Sequence, residues 1–291
     1  MKNIYKLGAA FALLFSVSAV AQQTPEFTFW RQNMVLVNPA YVGSTEKTEI
    51  NVISYKDQFS GIEGGAQTQA IAAQGSFNDK VGIGLELVSD RVFIQKETNV
   101  FASFSYKLSF GENKDLFLGL KAGGSYFEVD FTRLNTQDDI NNGEVSKFNP
   151  NFGIGAYYKT DKYFVSLSAP RILNAKRYEE ISGAAQEATD ATLVMFGGGY
   201  FYDLNENIQL IPSLMTRYVD GAPFGLDFNA SARFYNKFEL GANYRLNDSV
   251  GVMASFEVAK MLDLGFAYDF ATSEINDYTS GGPEFLLKVK F

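Results

Sequence analysis

The 291-residue sequence contains neither cysteine nor histidine, only one tryptophan and only seven prolines. Without cysteine there is no disulfide, so the fold must hold by strand pairing and burial alone. Without histidine, a Ser-His-Asp hydrolase, a histidine-ligated zinc site and a histidine general base are all excluded. Basic runs are absent as well, and the formal charge is −8, becoming two units more negative if Lys2 and Lys6 are removed with a leader. Nucleic acid is therefore not an expected partner. Beyond residue 21 no window approaches eighteen uncharged apolar residues, so no membrane-spanning helix is expected. No catalytic residue, metal ligand or cofactor-binding residue is assigned, and no cofactor is expected.

What is present begins with a leader. Lys2 and Lys6 precede an apolar run from Leu7 to Val20, closed by Ala19-Val20-Ala21 and followed by Gln22 and Gln23. That is the form of a secretory signal peptide, with cleavage expected after Ala21. The expected organisation is a signal peptide at 1–21, an N-terminal periplasmic or plug segment at 22–45, and one β-domain at 46–291.

The mature chain alternates apolar and polar residues at every second position, the strand period. Val100, Ala102, Phe104, Tyr106 and Leu108 alternate with Phe101, Ser103, Ser105 and Lys107; Leu226, Phe228, Ala230 and Ala232 alternate with Asp227, Asn229, Ser231 and Arg233. About fourteen strands are predicted, near 46–55, 66–77, 81–88, 98–109, 115–128, 151–158, 163–169, 192–202, 207–218, 225–235, 237–245, 249–258, 262–270 and 284–291. Two of these carry local conflicts: 66–77 is rich in alanine and glutamine, and 207–218 contains Pro212, which lacks a ladder donor. Either is expected to be bulged or shifted.

Connection lengths alternate too. Those at 78–80, 110–114, 159–162, 203–206, 236 and 259–261 are short, whereas 56–65, 89–97, 129–150, 170–191, 219–224 and 271–283 are longer; 246–248 departs from the rule. Short turns at one end and long loops at the other are the pattern of an outer-membrane barrel, with the long loops outside. A soluble β-sandwich would also alternate, but it does not account for that parity. The expected fold is an all-β, transmembrane antiparallel barrel, which satisfies every backbone group in lipid and leaves no open edge. Membrane lipid and lipopolysaccharide are then its surroundings, in the outer membrane.

Further motifs carry a family resemblance. Asn38-Pro39-Ala40-Tyr41-Val42-Gly43, after Phe27-Thr28-Phe29-Trp30-Arg31-Gln32-Asn33, resembles the opening of the PorP/SprF family, outer-membrane barrels of the Bacteroidetes type IX secretion system. Val81-Gly82-Ile83-Gly84-Leu85, Pro150-Asn151-Phe152-Gly153, Gly225-Leu226-Asp227, Tyr244-Arg245, Gly265-Phe266-Ala267-Tyr268-Asp269 and Ser280-Gly281-Gly282-Pro283-Glu284 follow in the family's order. After Tyr55, where family members often carry a basic residue and a tryptophan, the chain has Lys56-Asp57-Gln58-Phe59. The resemblance implies a barrel that helps export a large surface protein or adhesin and anchors it through its C-terminal domain. It also implies other type IX secretion or gliding-motility components as partners.

Several residues are candidates for partner binding or for lining the lumen. Asn38, Pro39 and Tyr41 lie in a segment that reads either as a plug or docking element or as the turn that sets the first strand. Trp30, the lone tryptophan, reads as a packing anchor or a binding residue. Arg217, Arg233 and Arg245 stand among Asp227, Glu239, Asp263 and Asp269 on the polar strand face, as selectivity or grip residues or as ion pairs filling a narrow interior. Gly197-Gly198-Gly199 lacks the following helix, lysine and hydroxyl of a phosphate loop. Asp138-Asp139 and Glu179-Glu180 are candidate loop calcium ligands, or simply solvated charge. Two rival functions remain: an outer-membrane channel for small or hydrophobic solutes with an N-terminal hatch, and an outer-membrane lipase or acyltransferase, whose serine-histidine form is excluded.

Overall fold

A computed structural model describes residues 26–45, 47–130, 144–173 and 191–291. The expected signal peptide and the two loop carboxylate pairs lie outside the described residues. Alternating faces bring β1 (Glu49–Asp57), β2 (Gln67–Ser76), β3 (Val81–Val92), β4 (Gln95–Ser109), β5 (Lys114–Asp130) and β6 (Glu144–Thr160) together as successive antiparallel neighbours. The wall continues through β7 (Tyr163–Arg171), β8 (Leu193–Tyr200), β9 (Tyr202–Asn205) and β10 (Ile208–Val219). It is completed by β11 (Gly225–Phe234), β12 (Phe238–Arg245), β13 (Ser249–Ala259), β14 (Leu262–Ala271) and β15 (Gly281–Lys290). β15 pairs with β1, Glu49 opposite Lys290, and β10 pairs with β11. The sheet is thus a closed barrel. β8 and β9 both pair with β10 and form one interrupted stave, so the wall has 14 staves.

The outer face is apolar and the inner face polar. Leu85 and Leu120 are 63% and 60% exposed, while Ser105 and Lys121, one residue out of phase with such neighbours, are 0% and 4% exposed. A soluble fold buries its leucines and exposes its lysines, so this inversion is what a lipid-facing wall demands. No helix among the described residues is long and apolar enough to cross a membrane.

Three expectations about strands change in detail. The bulge falls in β1, between Asn51 and Ser54, whereas the alanine-rich β2 pairs with β3 in unbroken register. Pro212 keeps continuous register with β11, opposite Ala230, while the partner on the other side breaks at Phe201. The ladder is interrupted on the side where a donor is dispensable. The connection at 89–97, expected to be a long loop, is instead a two-residue turn, because β3 runs to Val92 and β4 starts at Gln95. Ser89 to Arg91 and Gln95 to Glu97 are polar on both faces and Val92 to Ile94 are all apolar, so pairing continues where the alternation has ended.

Candidate functional site

The interior of the barrel is occupied by residues 26–45. This segment enters as irregular backbone, forms one turn of helix, α1 (Met34–Val37), and continues through a 3-10 turn at Pro39–Tyr41. Asn38 organises the second turn: its Oδ1 accepts from the Ala40 amide at 2.8 Å, and Pro39 supplies a fixed φ at the first position. The same side chain ties the segment to the wall. Asn38 Nδ2 donates to the Ala156 carbonyl and to Ser166 Oγ, each at 2.9 Å. Ser105 Oγ donates to the Val42 carbonyl at 2.5 Å, and Gln74 Oε1 accepts from the Gly43 amide at 2.8 Å.

Inward-facing glycines make room for this backbone. A Cβ at Gly119 would overlap the main chain of Pro39 and Ala40, one at Gly155 would overlap the Asn38 amide, and one at Gly82 would overlap the Val42 carbonyl. These glycines are a groove cut to the shape of the segment, a close backbone approach that only glycine permits. Above the groove, Trp30, Met34, Val37 and Ala40 pack with Phe117, Tyr157, Phe164, Met195 and Met215 in one apolar cluster. Trp30 lies 6.5 Å from the Phe164 ring, and Tyr41 meets Tyr157 edge-on at 5.4 Å.

Charged side chains complete the attachment. Asp227 is shared by Arg217 (2.5 Å) and Arg245 (2.8 Å), and Glu26 of the segment reaches the Nε of both arginines, at 2.9 and 3.0 Å. Arg245 continues to Asp269 at 3.6 Å, and Lys56 joins Asp269 (2.5 Å) to Glu284 (3.7 Å). Glu284 in turn accepts from the amides of Thr28 (2.6 Å) and Phe29 (3.1 Å), while Thr28 Oγ1 donates to Asp269 at 2.7 Å. A second group, nearer the short turns, pairs Glu239 with Arg31 of the segment and with Arg233 at 3.1 Å. Buried charges are costly unless paired and hydrogen-bonded, and here the segment adds Glu26 and Arg31 to pairs formed within the wall.

Eight of the ten candidate lumen residues lie on this segment or bond to it, while Asp227 meets it through Arg217 and Arg245 and Arg233 through Glu239. Arg217, Asp227, Arg245 and Asp269 meet in one network, and Arg233 and Glu239 in another. Trp30, Asn38, Pro39 and Tyr41 belong to the segment. Asp263 joins neither network; it pairs with Lys290 at 2.7 Å beside the short turns. Sequence reading missed Glu26, Thr28 and Arg31, which show no periodicity, and Lys56, whose position after Tyr55 marked only a departure from the family pattern. Gly197 to Gly199 lie on β8, where Met215 and Phe164 fill the space that side chains would take.

Among the described residues, two of the cavities inside the wall share no lining residue. One of about 90 Å³ lies on the long-loop side, among Trp30, Phe27, Phe101, Met195 and Arg217. The other, about 330 Å³, opens at the short-turn end among Arg31, Arg233, Glu239, Glu257, Lys288 and Lys290. The segment separates them.

Comparison with known proteins decides the family. A model of the type IX secretion system membrane protein PorP/SprF matches residues 19–289. This chain belongs to the PorP/SprF family. Among solved structures, the PorP/SprF chain resembles the toluene transporter TbuX of Ralstonia pickettii, with TM-score 0.53 and 10% identity over 88% of this chain and 93% of that one. It also resembles the outer membrane protein Omp33 of Acinetobacter baumannii, with TM-score 0.50 and 8% identity over 84% and 98% of the two chains. At such identity these likenesses establish the barrel fold alone. No curated protein matches the sequence. Fold and family together place this PorP/SprF protein in the outer membrane, and both are those of a membrane barrel.

Proposed function

We propose that this PorP/SprF barrel acts in type IX secretion as a surface receptor. In this reading it holds a large exported surface protein or adhesin, through that protein's C-terminal domain, at the long-loop end, alongside other secretion or gliding components. The observation that carries the reading is the filled lumen. A bore packed by residues 26–45, with their apolar cluster and two ion-pair networks, offers surfaces for recognition. Loops on a rigid scaffold are where such recognition resides. The test is affinity purification of the tagged barrel from detergent extract. A large surface protein should be recovered, and removing that protein's C-terminal domain should abolish recovery; recovery unaffected by the truncation contradicts the reading.

A second reading, a channel for small or hydrophobic solutes, draws on the same segment: a chain-terminal piece held by polar contacts is also how a hatch would be built. Deleting the gene separates the two. Loss of surface display with unchanged solute uptake supports the receptor, and the opposite result supports the channel.

A further inference from the structure

The larger cavity, at the short-turn end, is lined by an uneven distribution of charge. On one side Arg31, Arg233 and Lys237 stand beside a single carboxylate: Glu239 pairs with both arginines, and Lys237 forms no ion pair among the described residues. On the β13–β14 side the imbalance is reversed, since Glu257 and Asp263 share one cation, Lys290, at 3.1 and 2.7 Å. Lys288 and Glu49 balance each other. The two excesses adjoin across one strand pair, where the Glu257 amide donates to the Lys237 carbonyl at 2.7 Å. An open cavity with a positive and a negative side selects a guest that carries both charges, because a lone ion is attracted by one side and repelled by the other.

Size and position narrow the guest further. At about 330 Å³ the space is well above the ~150 Å³ that takes up benzene, enough for a small charged head group. Its lining also reaches the outer surface of the wall. Inward-facing Arg233, Glu239 and Lys288 line it together with Phe256, which is 48% exposed on the lipid side of β13. Phe256 and Leu286 border a second hollow as well, about 440 Å³, on the outer face among Leu264, Phe266, Phe285 and Leu287. A charged cavity and an apolar, lipid-facing hollow thus adjoin at the short-turn rim, as the two parts of an amphipathic guest require.

We propose that this end of the barrel holds one phospholipid of the periplasmic leaflet whose head group is a zwitterion with a primary amine. The phosphate lies against Arg233 and Lys237, the ammonium lies against Glu257 and Asp263, and an acyl chain passes Phe256 into the hollow. A quaternary ammonium offers those carboxylates no N–H, and a glycerol head group offers them no positive charge. The site is independent of what the long loops bind, so it goes beyond the receptor reading.

The experiment is native mass spectrometry of the mature protein, released from micelles that carry equal amounts of dioleoyl-phosphatidylethanolamine, dioleoyl-phosphatidylglycerol and dioleoyl-phosphatidylcholine. One phosphatidylethanolamine should stay bound at about ten times the level of either competitor. Lys237→Ala should lower its retention about fivefold, the worth of one cation beside a lipid phosphate. Glu257→Gln should remove the preference over phosphatidylglycerol, and Leu264→Trp, which fills the hollow, should reduce retention of the lipid. Heat-modifiable gel mobility shows that each variant has folded; Asp263→Asn serves if Glu257→Gln does not. Equal retention of the three lipids overturns the proposal, as does a preference that persists in the folded variants or retention unaffected by Leu264→Trp. Displacement of the lipid by an equal concentration of tail-free glycerophosphoethanolamine assigns the cavity to a soluble zwitterion and overturns it too.

Discussion

Asp227 is fully buried between two guanidinium groups, and Glu26 approaches both from the other side. The two carboxylates have different jobs. Asp227 joins β10, β11 and β12 within the wall, so Asp227→Asn should destabilise the whole barrel by about 3 kcal/mol, measured by urea unfolding in micelles. Glu26→Gln touches only the segment's hold on the wall. It should leave the unfolding midpoint nearly unchanged while making residues 26–45 accessible to protease, and equal effects of the two variants would contradict this division. At this scale the sequence was partly legible. Alternation put Asp227, Arg233, Glu239 and Arg245 on one face of neighbouring strands, and register then paired them. Glu26, Thr28 and Arg31 lie in irregular backbone, where no period reveals direction, and Lys56 and Glu284 meet across the β1–β15 closure that only three dimensions supply.

Strands were the most readable elements, because lipid on one side and packed polar groups on the other force a strict period of two. The reading failed where the lipid ends. β3 and β4 run past the apolar band to a turn at Phe93 and Ile94, and backbone pairing there carries no alternation of apolar and polar residues. Substitutions should show the same boundary. Leu85→Arg, on the lipid face near the middle of β3, should cost about 2–4 kcal/mol, whereas Ser89→Arg, on the same face beyond the apolar band, should cost less than about 1 kcal/mol. Turns offer a separate test. Tyr235 and Asn236 both have positive φ, 53° and 57°, and Lys237 donates back to the Phe234 carbonyl at 3.0 Å, a tight hairpin turn with tyrosine where glycine or asparagine is favoured. Tyr235→Gly should raise stability by roughly 0.5–1 kcal/mol, read from the unfolding midpoint; a lowered midpoint would mean that the tyrosine ring contributes more than its backbone costs.

At the scale of the whole molecule, the barrel and its inner segment form one packed object. The wall contributes glycines at 119, 155 and 82 and a ring of charged groups, and the segment contributes the backbone and carboxylates that fit them. That residues 27–43 carry a motif was legible, as was the family it points to. Its position was left between a plug and a periplasmic segment, because nothing in a chain of mixed polarity says which surface it will cover. The central claim is that this segment closes the lumen, and conductance in planar bilayers tests it most directly. The mature protein should insert without a steady ionic current, and deletion of residues 22–45 should produce stable open pores. Steady open pores from the intact chain, or a deletion variant that folds and still passes no current, would contradict it.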